Sequence, residues 1–178
     1  MLEAREISFR VGGKWLLQPS DIAFEPGKFH VIMGANGAGK STLLKLLAGD
    51  EPTATGKVKL HERSLYAYSR KELATIRAVL SQHYHISFPI SVGDIVLMGR
   101  YPYFSGKPSP HDLDICRTSM DLMEVQVFKE RDYQTLSGGE GQKVQMARVL
   151  AQITEEGKES EKLLFLDEPV SHLDIKFQ

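Results

Sequence analysis

The sequence predicts an α/β fold in which a core opens with short antiparallel β-strands and carries an inserted helical subdomain. Three observations lead there. Phe29 to Met33 is an apolar run that enters a glycine-rich loop, and Ser41 to Ala48 follows with helical spacing that stops at Gly49, giving strand, loop, helix. Lys162 to Leu166 is a second apolar run, suited to the middle of a parallel sheet. Between Leu80 and Lys162 the pattern is mainly helical.

In chain order, Glu3 to Phe9 reads as a strand ending at the turn Val11-Gly12-Gly13, and Asp21 to Phe24 as another ending at Pro26-Gly27. Lys57 to Leu60 and Arg77 to Leu80 are further strand candidates. Ser91 to Met98 is a short helix. Ser109-Pro110-His111-Asp112 supplies an N-cap serine, a first-turn proline and an acid near the positive end of the next helix. In that helix Leu113, Cys116, Met120 and Met123 form an expected core stripe. Glu155 to Glu161, charged and containing Gly157, reads as a solvated loop. The expected organisation is one domain over residues 1–178, its core at about 1–85 and 155–178 and its helical subdomain at about 86–154.

Composition narrows the function. Lysine and arginine number 22 against 23 acidic residues, so no global field draws the chain to nucleic acid or an anionic membrane, and any phosphate must be held locally. The single cysteine, Cys116, leaves no internal disulfide or multi-cysteine zinc site, fits a reducing compartment and is expected to be a buried apolar residue. No apolar stretch approaches the roughly 20 residues needed to cross a bilayer. The N-terminus carries acids where a secretory signal would carry a basic region, so the expected compartment is the cytoplasm.

Gly34-Ala35-Asn36-Gly37-Ala38-Gly39-Lys40-Ser41-Thr42 contains G-x-x-x-x-G-K-S between the expected strand and helix. Glycines let the backbone curl so that its N–H groups face phosphate oxygens, and the helix presents its positive end to the same anion. Lys40 would reach the β- and γ-phosphates of a nucleotide, and the Ser41 hydroxyl would supply a hard oxygen to Mg²⁺. At the end of the second apolar strand stand Asp167 and Glu168, where ligands bind in open α/β sheets. Asp167 would serve the Mg²⁺ shell, and Glu168 would accept a proton from the attacking water or orient it.

Leu136-Ser137-Gly138-Gly139-Glu140 narrows the class further. Ser137 and Glu140 have capping-box spacing, and the two glycines bare backbone N–H groups at a helix start, a second anion site. This segment resembles the signature of ABC ATPases, which usually ends in glutamine. The order of phosphate loop, glutamine after a strand, signature, acidic strand and then Ser171-His172-Leu173-Asp174 resembles that family over essentially the whole chain. The resemblance implies a P-loop NTPase (RecA-like) core and a homodimer in the ATP-bound state. In it, ATP lies between one copy's phosphate loop and the other's Ser137, Gly138, Gly139 and Glu140, with Asp174 in the loop across the dimer contact. It also implies that Gln82 reaches the Mg²⁺ or its water, in a catalytic role beside Glu168. His83 and His85 lack metal-ligand spacing and read as polar loop residues, as does His172.

Two departures stand out. The position aligned with the family's adenine-stacking aromatic is Val11, so Phe9 or Trp15 would have to stack instead. The family's switch histidine, expected on a strand beyond the acidic one, has no place before Gln178, which leads to the expectation that the C-terminal part of the domain is missing. Val96-Leu97-Met98-Gly99-Arg100-Tyr101-Pro102-Tyr103 resembles the permease-facing segment of bacterial importer ATPases for haem, ferric siderophores and vitamin B12, and Arg100, Tyr101 and Tyr103 are expected to be exposed interface residues. Together with Glu140-Gly141-Gln142 and the charged insert before Lys162, it favours haem. The implied setting is the cytoplasmic face of the bacterial inner membrane, against integral-membrane permeases, served indirectly by a substrate-binding protein and without nucleic acid. A soluble ABC ATPase acting on DNA or ribosomes is the competing class, and a small-molecule kinase the second competitor, against which Leu136 to Glu140 argues.

Overall fold

The computed structural model describes residues 1–82, 84, 86–155 and 161–169. The chain divides into two compact units, Met1–Arg70 and Lys71–Gln178.

In the first unit β1 (Leu2–Val11) and β2 (Lys14–Phe24) form a hairpin that pairs Val11 with Lys14, and β3 (Thr55–Leu60) and β4 (Arg63–Ser64) extend it into an antiparallel sheet of order β2-β1-β3-β4. Alternation places Leu2 and Ala4 inside. A register shift between Ala4 and Ile7 then changes the parity, so that Ile7 is the next buried residue. Leu43, Leu46 and Leu47 of α1 (Lys40–Ala48) are buried, as are Val58 and Leu60 of β3. Each such side chain, fully buried, contributes about 1.5–3 kcal/mol. Gly49 ends α1 in the left-handed conformation, its N–H bonded to the carbonyl of Leu46.

Phe29 to Met33 is not a strand. An extended segment becomes one by bonding to a neighbour, and among the described residues none pairs with it. Phe29, Val31 and Met33 are exposed.

Helix α2 (Arg70–Ile76), which belongs to the second unit from Lys71 onward, leads into β5 (Arg77–Leu80), which pairs in parallel with β6 (Leu163–Leu166), Leu80 opposite Leu166. Helices α3 (Val92–Met98), α4 (Pro110–Leu122) and α5 (Gly138–Ile153) lie between those strands in sequence. Val144, Ala147 and Ala151 of α5 pack with Val92, Ile95 and Val96 of α3 and with Ile115, Cys116 and Met120 of α4. Its other face sets Val149, with Met146 and Ile153, against Ala78 and Leu80 of β5. Helix α5 therefore joins the helical cluster to the parallel pair. Gly99 lies hard against α5: a Cβ there would lie 2.3 Å from the Arg148 carbonyl oxygen. Its φ of −59° is right-handed, so packing rather than a left-handed cap requires glycine.

Cys116 is buried as expected, and burial pushes its thiol up to about 11. The α4 stripe differs from expectation. Leu113 is exposed, and the inward face is Asp112, Ile115, Cys116, Ser119 and Met120, because the capping box at Ser109 turns Asp112 inward.

Arg100 explains that inward acid. It is 1% exposed, donates to Asp112 Oδ1 at 3.0 Å and Glu155 Oε2 at 2.8 Å, and bonds the carbonyls of Ala151 and Thr154 at the end of α5. Its guanidinium lies 3.8 Å from the ring centroid of Tyr103, whose hydroxyl donates to the Gln152 carbonyl. Arg100 and Tyr103 are therefore internal braces rather than exposed interface residues, and Glu155 is an ion-pair partner rather than part of a solvated loop. Tyr101 is exposed. Among the described residues no helix is long and apolar enough to cross a membrane.

Candidate functional site

The phosphate loop lies in the first unit. Residues 34–39 curl with a bond from the Ala38 N–H to the Ala35 carbonyl, and Gly39 at φ 89° becomes the N-cap of α1. A Cβ at Gly39 would meet the Leu16 carbonyl oxygen at 2.6 Å, so both the left-handed backbone and the close approach demand glycine. The Lys40 ammonium donates to the carbonyls of Gly34 at 2.9 Å and Ala35 at 3.0 Å, which folds it back over the loop. Helix α1 starts with no side-chain cap and no acid in its first turn, the electrostatic condition for receiving an anion there.

The acidic strand end lies in the second unit. The Asp167 N–H donates to the Leu80 carbonyl at 2.9 Å and so continues the β5–β6 ladder by one step. Glu168 then breaks from extended geometry with φ 49°. A left-handed non-glycine residue costs about 1–3 kcal/mol and persists where its surroundings hold it. Two side chains hold this one. Gln82, just past β5, donates from Nε2 to Glu168 Oε2 at 2.5 Å, and Gln142 of α5 donates to the carbonyls of Glu168 at 3.3 Å and Pro169 at 2.6 Å. Two residues assigned to catalysis from sequence are thus brought together at the carboxyl ends of adjacent parallel strands.

Tyr84 and Arg148 were not singled out by sequence reasoning, yet they fix the Gln82 segment. The Tyr84 hydroxyl donates to the Val79 carbonyl at 2.9 Å and accepts from the Ser81 N–H at 2.8 Å and from Arg148 at 2.9 Å. No motif marks a tyrosine in that role; its only signal is closeness to the strand end.

The signature forms as expected. Ser137 caps α5, its hydroxyl accepting from the Glu140 N–H at 3.3 Å while its own N–H donates to Glu140 Oε2 at 2.7 Å. The bonds from the Ser137 amide and then its hydroxyl hold the Glu140 carboxyl below the usual carboxylate range. Gly138 and Gly139 occupy the first turn beside it.

Of the adenine-stacking candidates, Phe9 is half-buried and Trp15 carries the Arg10 guanidinium 3.9 Å from its ring centroid. Ser171, His172, Leu173, Asp174, His83 and His85 lie outside the described residues. Among the described residues no group of three or more His, Cys, Asp or Glu side chains could hold a metal ion by itself. The donors assigned to Mg²⁺ from sequence, Ser41, Gln82 and Asp167, are a hydroxyl, an amide carbonyl and a carboxylate, the hard oxygens that ion takes.

The sequence model of the family described as "ABC transporter" matches residues 17–171. The chain is 44% identical over 178 residues to the hemin import ATP-binding protein HmuV of Gloeobacter violaceus, covering all of this chain and 65% of that protein. It is 41% identical to the protein of the same name from Escherichia coli O157:H7, covering all of this chain and 68% of that one. The chain therefore spans about two thirds of the length of the curated relatives it matches. Among solved structures, a bacterial ABC transporter cassette determined as a dimer superposes with a TM-score of 0.83 at 20% identity, over 99% of this chain and 77% of that one, a likeness of fold.

Proposed function

The chain belongs to the ABC transporter family, and on that premise we propose that it binds and hydrolyses Mg·ATP to drive an importer whose cargo is haem. The contact between Gln82 and Glu168 at the ends of β5 and β6 carries the hydrolytic half of this reading. The two named hemin-import relatives support the cargo.

In this reading the N–H groups of Gly34 to Gly39 and the start of α1 bind the phosphates, with Lys40 leaving its loop carbonyls for the β- and γ-oxygens and Thr42 beside it in the first turn. Ser41, Asp167 and Gln82 would hold a Mg²⁺ ion, which would supply positive charge against the charge developing on the phosphates. As water attacks the γ-phosphorus and the bond to the ADP oxygen breaks, Glu168 takes the water proton on a carboxylate oxygen, and Gln82 orients that carboxylate. Ser137, Gly138, Gly139 and Glu140 act on the nucleotide of a second copy. Residues 86–154 serve as the helical subdomain facing a permease at the cytoplasmic face of the membrane, and a separate binding protein delivers the cargo.

Replacing Lys40 with alanine should abolish Mg·ATP binding in calorimetry; unchanged affinity contradicts the phosphate site. For the cargo, the full-length protein is mixed with haem, siderophore or vitamin B12 permeases. Stimulation of its ATPase by the haem permease alone is expected, and stimulation by another one only reassigns the cargo.

A further inference from the structure

Gln142 stands on the second turn of α5, the helix whose first turn is the signature. The two hydrogens of its carboxamide nitrogen match two acceptors, the carbonyls of Glu168 and Pro169. Those carbonyls flank the residue held at φ 49°, whose carboxylate bonds Gln82 on its other side. Ser137 at the start of the helix and the Glu168 turn are therefore joined by one rigid element and one side chain.

We propose that Gln142 is a positioning residue, which fixes the Glu168 turn in its hydrolytic geometry and mechanically couples that turn to the signature end of α5. The inference rests on Glu168 as the hydrolytic carboxylate. It assigns Gln142 no contact with nucleotide. Because the signature serves a second copy's nucleotide while Glu168 serves its own, a shift of α5 on engaging the partner's phosphate is passed to Glu168 through these two bonds. Displacement of a reacting group by about 1 Å can cost a hundredfold in rate, so the coupling need move the turn only slightly.

The test uses the full-length protein with Gln142→Met, which keeps the length and apolar stem but removes both donors. Gln142→Glu, of the same shape as the native residue, is the second variant should the first fold poorly. Expected are a fall in kcat of about tenfold or more, Mg·ATP affinity within about twofold of the native protein, and faster hydrogen exchange at the Glu168 amide with no change at β5. Gln142→Lys, which restores a donor, should recover part of kcat. Native kcat in both the methionine and glutamate variants overturns the proposal, as does a loss of affinity that matches the loss of rate. Glu168→Gln runs alongside. If it is inactive while Gln142→Met is fully active, only the coupling fails; if it remains active, the assignment of Glu168 fails and takes the coupling with it.

Discussion

Gln82 donates to the carboxylate of Glu168 at 2.5 Å, so the loop after β5 and the turn after β6 are tied at the residues that sequence reasoning gave to catalysis. A carboxamide at that distance orients the carboxylate without competing for its negative charge. Gln82→Ala should therefore lower kcat for ATP by about tenfold or more and lower Mg·ATP affinity by clearly less, through the loss of one of the oxygens proposed for Mg²⁺, as read by steady-state phosphate release beside calorimetry. An equal loss in affinity and rate would make Gln82 a binding residue instead.

Arg100 is expected to matter for stability before it matters for any partner. Burial works against ionisation of Asp112 and Glu155. Bonds from Ser109 and Arg100 outweigh it at Asp112, and bonds from Arg100 and His111 do so at Glu155, so both carboxyls lie below their ordinary values. A depressed carboxyl contributes stability above its unfolded value, about pH 4, and that contribution is lost as pH falls through the folded value. Arg100→Ala leaves the two acids without their buried cationic partner and should cost about 3–5 kcal/mol at pH 7 in denaturant melts. Both carboxyls then lose part of what holds them down and move up from their native values, while Asp112 keeps its Ser109 bonds and Glu155 its His111 contact, so the deficit should shrink as pH falls toward and below about 4. A variant as stable as the native protein at pH 7 would contradict the brace.

Glu140 places a negative charge beside the helix start proposed to receive a second copy's phosphates. A neutral carboxamide in its place would still accept the Ser137 N–H but would carry no charge, so Glu140→Gln should tighten the ATP-dependent dimer by about two- to fivefold at low salt, measured by sedimentation in a Glu168→Gln background. A looser dimer would show that the carboxylate is needed for the cap more than it repels phosphate.

Motifs with a local cause were legible in the sequence. The N-cap at Ser109, the capping box at Ser137 and the glycine-rich turn into α1 each follow from a few adjacent residues and form as expected; the apolar run of β6 is a strand, but among the described residues it pairs only with β5 and does not lie in the middle of a sheet. What the sequence hid depends on distant partners. Arg100 looked like an exposed interface residue because its acceptors lie 12 to 55 residues away, at Asp112, Ala151, Thr154 and Glu155. Phe29 to Met33 has strand composition, but pairing is a property of a neighbour. Gln142 looked like a mark of cargo class, and its bonds to the Glu168 turn span 26 and 27 residues. Tyr84 carried no motif beyond its closeness to the strand end, since one hydroxyl serving three partners leaves no pattern in spacing.

The central claim is that Glu168 performs hydrolysis and is dispensable for holding the nucleotide. The most direct measurement is phosphate release and Mg·ATP affinity for Glu168→Gln beside the native full-length protein. The account predicts a rate lowered by about a hundredfold or more with affinity preserved and an ATP-bound dimer accumulating. A Glu168→Gln protein that releases phosphate at the native rate would contradict it.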